Sequence, residues 1–150
     1  ELRIVGGGEA AYVDGLKARA GSLGIAPRVS WAGHLEGAAK AREWEQAEVF
    51  ALPSLSENFG LAAAEALAAG LPCVLGQGVA IAHEVAGAAA GVAVAPQPEA
   101  IADGLRRVIG DASRRDVMAA NARILAERQY SLAALGTRLK QLYTDIGPPR

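Results

Sequence analysis

The sequence predicts an α/β domain in three layers, with helices covering both faces of a mostly parallel sheet. Three observations predict it. Short apolar runs bounded by Gly or Pro alternate with longer segments of helical period, the pattern of repeated strand and helix units. The 150 residues, 51% hydrophobic and 21% charged, are enough for one domain with a buried core. No repeat or low-complexity tract interrupts them, and no linker precedes the Gly147-Pro148-Pro149 tail.

Each element has its own signal. Leu2-Arg3-Ile4-Val5 reads as the first strand. Residues 10 to 23 read as a helix because Val13, Leu16, Ala20 and Leu23 recur at spacings of three and four, as one buried face requires. A second strand is expected over 29 to 32, a second helix over 37 to 46 and a third strand over 48 to 52. The Ala-rich helix expected over 61 to 69 stops at Gly70, a natural C′ residue, with Pro72 just beyond. Strands follow at 73 to 75 and 92 to 95, and His83 with Glu84 fit a helix start between them. Pro98 opens a helix whose Ile101, Leu105, Val108 and Ile109 share a face. Ser113 with Asp116 has the capping-box spacing for the next helix, and Leu132, Leu135, Leu139, Leu142 and Ile146 mark the last.

Charge and composition exclude several functions. Fifteen Lys and Arg against sixteen Asp and Glu leave a formal net charge of -1, so no global field draws in a polyanion and nucleic acid is not an expected partner. The one cysteine, Cys73, sits in an apolar stretch and reads as core; His34 and His83 offer no ligand spacing, so neither a metal nor another cofactor is expected. No apolar run approaches the ~18 residues of a membrane span, and the opening residues read as a strand. A cytoplasmic domain is expected, with any membrane contact of the full protein peripheral. Arg106-Arg107 and Arg114-Arg115 read as solvated helix faces, and Trp31 and Trp44 as packing residues.

Parallel strands bring their C-terminal ends to one edge, where ligands bind. The loops there read Gly6-Gly7-Gly8-Glu9, Gly33-His34-Leu35-Glu36-Gly37, Pro53 to Gly60, and Gly76-Gln77-Gly78-Val79. The third leads directly into the helix at Leu61, so the amides near Gly60, Leu61 and Ala62 sit at the positive end of a helix dipole, a ready anion site. Glu57 stands just outside that helix and Glu65 one turn inside it. Carboxylates repel phosphate but accept hydrogen bonds from sugar hydroxyls. Two sugars around a phosphate group describe a nucleotide sugar. A purely structural reading is equally open: Glu57 complements the dipole, Asn58 is an N-cap and Gly60 relieves strain.

Pro53-Ser54-Leu55-Ser56-Glu57-Asn58-Phe59-Gly60-Leu61, followed by Glu65-Ala66-Leu67-Ala68-Ala69-Gly70-Leu71-Pro72-Cys73-Val74, resembles the signature of the retaining group-one (family four) glycosyltransferases. Those enzymes have the GT-B plan of two facing Rossmann-like domains. Glu57 and Glu65 match their two glutamates separated by seven residues. The resemblance runs from Ile4-Val5-Gly6-Gly7-Gly8-Glu9 through Arg28 to Gly33 and on to Tyr130-Ser131, nearly the whole chain. It implies that residues 1–150 are a single C-terminal, donor-binding domain. Glu57 would be the catalytic residue, contacting the transferred sugar's hydroxyls. Asn58 would lie in the donor loop, and the Phe59-Gly60-Leu61 backbone would hold the donor phosphates. Glu65 would bind the ribose, with Gly7, Gly8, His34 and Leu35 near the base or phosphates. The implied reaction retains anomeric configuration without a metal, protein groups stabilising the leaving diphosphate.

The sequence departs from that pattern in one respect. Domains of this type open with a strand ending in Gly-Arg, followed by Lys-Gly, and those cations neutralise the diphosphate. Neither is matched here: Arg3 falls in the first strand and Lys17 in a helix. The expectations are therefore a domain lacking its first strand and helix and its N-terminal acceptor-binding partner, self-associating through an exposed sheet edge, and inactive alone. The alternatives are a non-catalytic nucleotide-binding or interaction module of the same fold, or an epimerase or phosphorylase of the same two-domain plan.

Overall fold

The structure, a computed structural model, describes residues 1 to 147, so Pro148 and Pro149 of the expected tail lie outside the described residues. Along the chain it comprises β1 (Leu2–Val5), α1 (Ala10–Ser22), a 3₁₀ turn (Ala26–Arg28), β2 (Val29–Gly33), α2 (Gly37–Gln46), β3 (Phe50–Leu52) and α3 (Leu61–Ala69). There follow β4 (Cys73–Gly76), α4 (Ala82–Gly87), β5 (Gly91–Val94), α5 (Pro98–Ile109), α6 (Ala112–Leu125), a π-helical turn (Ala126–Tyr130) and α7 (Leu132–Ile146). The alternation expected from the sequence is present, and the ladders are parallel. Pairing is divided between β1-β2 and a second ladder in the order β3-β4-β5. The chain forms two compact units, Glu1–Glu43 and one beginning at Trp44.

In the second unit β4 is buried at every position, and its side chains alternate between two apolar clusters. Cys73 and Leu75 pack with Ala63, Ala66 and Leu67 of α3, Val85 of α4 and Ala122 of α6. Val74, pointing the other way, packs with Val94, Val108 and Met118. The period of two along a strand thus puts helices on both faces of this ladder, the layered Rossmann-like arrangement. Small residues let α3 lie close to the sheet: Ala63 and Ala66 are both fully buried. Leu67 and Leu75, also fully buried, each contribute about 1.5–3 kcal/mol from burial. Trp44 meets Phe50 edge to face at 5.4 Å, so this tryptophan is a packing residue. The Cys73 thiol donates to the Leu71 carbonyl at 3.4 Å, and burial pushes its pKa up to about 12. It is an inert core group.

The first unit is thinner. Of the α1 stripe only Ala20 is buried, while Leu16 and Leu23 stay exposed. A ladder of two strands is too narrow to cover a helix face of that length. Arg3 forks onto both carboxylate oxygens of Glu43, tying β1 to α2.

Some boundaries differ from expectation. Ser113 does not cap α6; it lies inside the helix, and Asp111 is the N-cap, its carboxylate accepting from the Arg114 N–H at 3.0 Å. Gly110 ends α5, so the turn leaves room for a cap only at the next residue. β3 begins at Phe50, not at 48: the Phe50 N–H donates to the Pro72 carbonyl, while Glu48 pairs by its side chain with Arg115. The apolar face of α7 is exposed along its length, with Leu132 at 87% and Ile146 at 70%. Among the described residues no helix is long and apolar enough to cross a membrane.

Candidate functional site

The segment from β3 to α3 is built around Glu57. Its N–H donates to the Gly78 carbonyl at 3.0 Å, and its own carbonyl accepts from the Ala80 N–H at 3.1 Å. The two bonds form a parallel bridge between Glu57 and Val79. Contact this close needs a glycine: a Cβ on Gly78 would fall 1.9 Å from the Leu55 carbonyl oxygen. The fourth glycine-rich loop therefore backs the third. With its backbone clasped, Glu57 presents an exposed side chain.

Three residues on, Gly60 is the N-cap of α3, at φ 88 and ψ 52 with no side-chain cap. Asn58 is thus not the cap, in contrast to the structural reading of the sequence. The left-handed backbone at Gly60 turns the chain sharply enough for its own carbonyl to accept from the Ala63 and Ala64 amides at 2.8 and 3.1 Å. The Leu61 and Ala62 amides, in the first turn, have no intrahelical partner by helix geometry and sit at the positive end of the dipole. Gly60 also answers a local constraint: a Cβ there would lie 2.8 Å from Val79 Cγ1. Its glycine is required by the fold as well as suited to an anion. Glu65, half-buried in the second turn, lines a groove of about 440 Å³ with Leu61 and Ala64 of α3 and with Arg123, Glu127 and Tyr130.

The structure brings the other candidates together in the first unit. The Gly6 N–H donates to the Gly33 carbonyl at 2.8 Å, joining the ends of β1 and β2. A Cβ on Gly7 would lie 3.9 Å from His34 Cβ, and one on Gly8 would touch Val13. His34 Nε2 is 3.0 Å from Glu36 Oε1, both side chains exposed, and that bond with the His34 charge holds the Glu36 carboxyl below its ordinary range. Leu35 between them is half-buried. Arg3 is engaged by Glu43, and Lys17 lies 3.6 Å from Asp14.

One contact had no signal in the sequence. The Tyr130 hydroxyl donates to Glu84 Oε2 at 2.5 Å, between residues 46 positions apart. The Tyr130 ring meets Phe59 edge to face, with centroids 5.7 Å apart and planes at 88°. Burial, and then the Glu84 carboxylate, push the phenol above its ordinary value of 10.0. His83 and Glu84 lie in the first turn of α4, as their helix-start reading expected.

The family described as Glycosyl transferases group 1 matches residues 1–125. An uncharacterised glycosyltransferase of Methanocaldococcus jannaschii is 35% identical over 114 residues, 73% of this chain and 28% of its own length. A D-inositol 3-phosphate glycosyltransferase of Corynebacterium glutamicum is 31% identical over 149 residues, 96% of this chain and 35% of its own. The solved sucrose-phosphate synthase of Thermosynechococcus elongatus matches with a TM-score of 0.84 at 25% identity, over 97% of this chain and 38% of that one. The chain spans 28% and 35% of the length of these two curated relatives. With a family match over most of its residues, and a fold shared with GT-B enzymes, the chain belongs to the group 1 glycosyl transferases.

Proposed function

We propose that the loop from Pro53 to Gly60 and the first turn of α3 bind the diphosphate of a nucleotide sugar. Glu57 accepts hydrogen bonds from hydroxyls of the transferred sugar, and Glu65 from those of the ribose. In the complete protein this site transfers the glycosyl group to an acceptor with retention of configuration. The observation that carries the reading is the clasp on Glu57. Both of its backbone groups are bonded to the neighbouring loop, so the main chain that carries the carboxylate is held beside a helix start whose first amides suit an anion.

The chemistry follows from that placement. Negative charge grows on the diphosphate as its bond to the sugar breaks, and fixed amides aimed at it stabilise that charge without reorganising. No residue of this sequence matches the Gly-Arg and Lys-Gly cations of the family's pattern.

Calorimetric titration of the full-length protein carrying this sequence, with uridine, guanosine and adenosine diphosphates and their sugars, tests the reading. Glu65→Ala should weaken binding of the preferred diphosphate by about tenfold or more, the worth of hydrogen bonds to a carboxylate. Glu57→Gln should lower kcat with little change in diphosphate affinity. Binding by none of the nucleotides, or binding indifferent to Glu65→Ala, overturns the donor site. Nucleotide binding with no transfer to any acceptor overturns the catalytic half.

A further inference from the structure

We infer that Tyr130 is a positioning residue for the loop ahead of α3, held there by the π-helical turn that carries it. The inference rests on the donor-site reading above and adds to it a residue that neither the sequence pattern nor the family signature assigns a role. Tyr130 joins the loop that carries Glu57 to the helix α4. Its ring packs on Phe59, which immediately precedes the Gly60 cap. Its hydroxyl is bonded to Glu84, in the first turn of α4, and α4 comes directly after the Gly78 to Ala80 segment that clasps the Glu57 backbone. Tyr130 also lines the groove that contains Glu65. One side chain thus touches the entry to α3 and the helix that follows the support behind Glu57, and it lines the groove beside α3.

The means of delivery supports the same role. Residues 126 to 130 wind as a π-helical turn at the end of α6. Such a turn accommodates one extra residue and rotates the side chains beyond it by roughly 100° relative to an unbroken α-helix. Such turns are rare and occur mostly as single interruptions of α-helices, frequently at functional sites. Here the turn is held from both ends. The Arg138 guanidinium on α7 donates to the Gln129 carbonyl, and Ser131 caps α7, its hydroxyl accepting from the Ala134 N–H at 3.1 Å. Ala126, at the start of the turn, is buried against the main cluster. The hydroxyl of Tyr130 is bonded to a carboxylate of another helix, so the side chain is held at its ring and at its polar tip.

The test uses the full-length protein with Tyr130→Phe, Tyr130→Ala and Glu84→Gln. Amide exchange at residues 57 to 62 without ligand is one readout, and calorimetric affinity for uridine, guanosine and adenosine diphosphates is the other. Tyr130→Phe keeps the ring and loses the bond, so exchange at 57 to 62 should quicken and affinity fall by about threefold to tenfold. Tyr130→Ala should exceed it in both. Glu84→Gln, which retains an acceptor, should fall between wild type and Tyr130→Phe. A Tyr130→Ala protein with a lower Tm but unchanged exchange at 57 to 62 and unchanged affinity overturns the inference in favour of packing alone. If the wild type binds no nucleotide, the donor-site reading fails. Exchange at 57 to 62 then still decides whether Tyr130 holds the loop, and exchange unaltered in both Tyr130 variants overturns that as well.

Discussion

At the scale of single residues, Gly60 shows how a fold requirement and a binding feature coincide. Its backbone is left-handed, a conformation that costs an L-residue about 1–2 kcal/mol, and a Cβ would crowd Val79 Cγ1 at 2.8 Å. Gly60→Ala should therefore destabilise the protein by about 1–3 kcal/mol, read as a fall in the urea midpoint at constant slope. Val79→Ala empties a buried core position and is itself destabilising, but the loss from Gly60→Ala measured in that background should be smaller by the part due to crowding and keep the part due to backbone strain. A Gly60→Ala loss that vanishes in the Val79→Ala background would show that the left-handed backbone costs nothing. That Glu57, Gly60 and Glu65 share one loop and one helix start was legible in sequence, because the loop runs straight into a helix ended by Gly70. Asn58 misled because it is a good capping residue two places too early, and the chain needed the positive φ that Gly60 provides. Tyr130 with Glu84 was illegible for a simple reason: a contact across 46 residues leaves no periodicity to detect.

Elements were easier to read than their ends. Strands and helices follow periods of two and 3.6 that burial on both sides of β4 explains, whereas ends depend on which of several adequate caps the neighbouring element permits. For α6 the choice falls to Asp111, because α5 runs to Ile109 and Gly110 closes it. Asp111→Ala should cost about 1 kcal/mol, the usual worth of an N-cap, while Ser113→Ala should stay within a few tenths. Thermal melts of the two variants decide it, since equal losses would return Ser113 to the capping role. The π-helical turn was invisible for a different reason. Ala126-Glu127-Arg128-Gln129-Tyr130 is composed largely of good helix formers, and a change from i−4 to i−5 bonding is set by what Tyr130 and Arg138 reach, not by local preference.

At the scale of the molecule, the distribution of core sets a hierarchy of stability. The fully buried large side chains, Leu67, Leu75, Val74, Val79, Val85 and Val108 among them, belong to the unit that begins at Trp44, whereas the stripe of α1 has only Ala20 buried. Amides released only by global unfolding are those whose surroundings carry the most buried apolar surface. Native-state hydrogen exchange should therefore find Val74 and Leu75 of β4, flanked by a strand on each side, among the slowest in the protein. Ile4 and Val5 of β1, in a ladder of two strands, should exchange at least about tenfold faster, a difference of about 1.4 kcal/mol in opening free energy. Raising urea should leave the β1 rates nearly flat while the β4 rates climb steeply, since a local opening exposes little surface and a global one exposes much. Equal rates with equal urea dependence at β1 and β4 would mean that the two units open as one cooperative body despite their unequal cores.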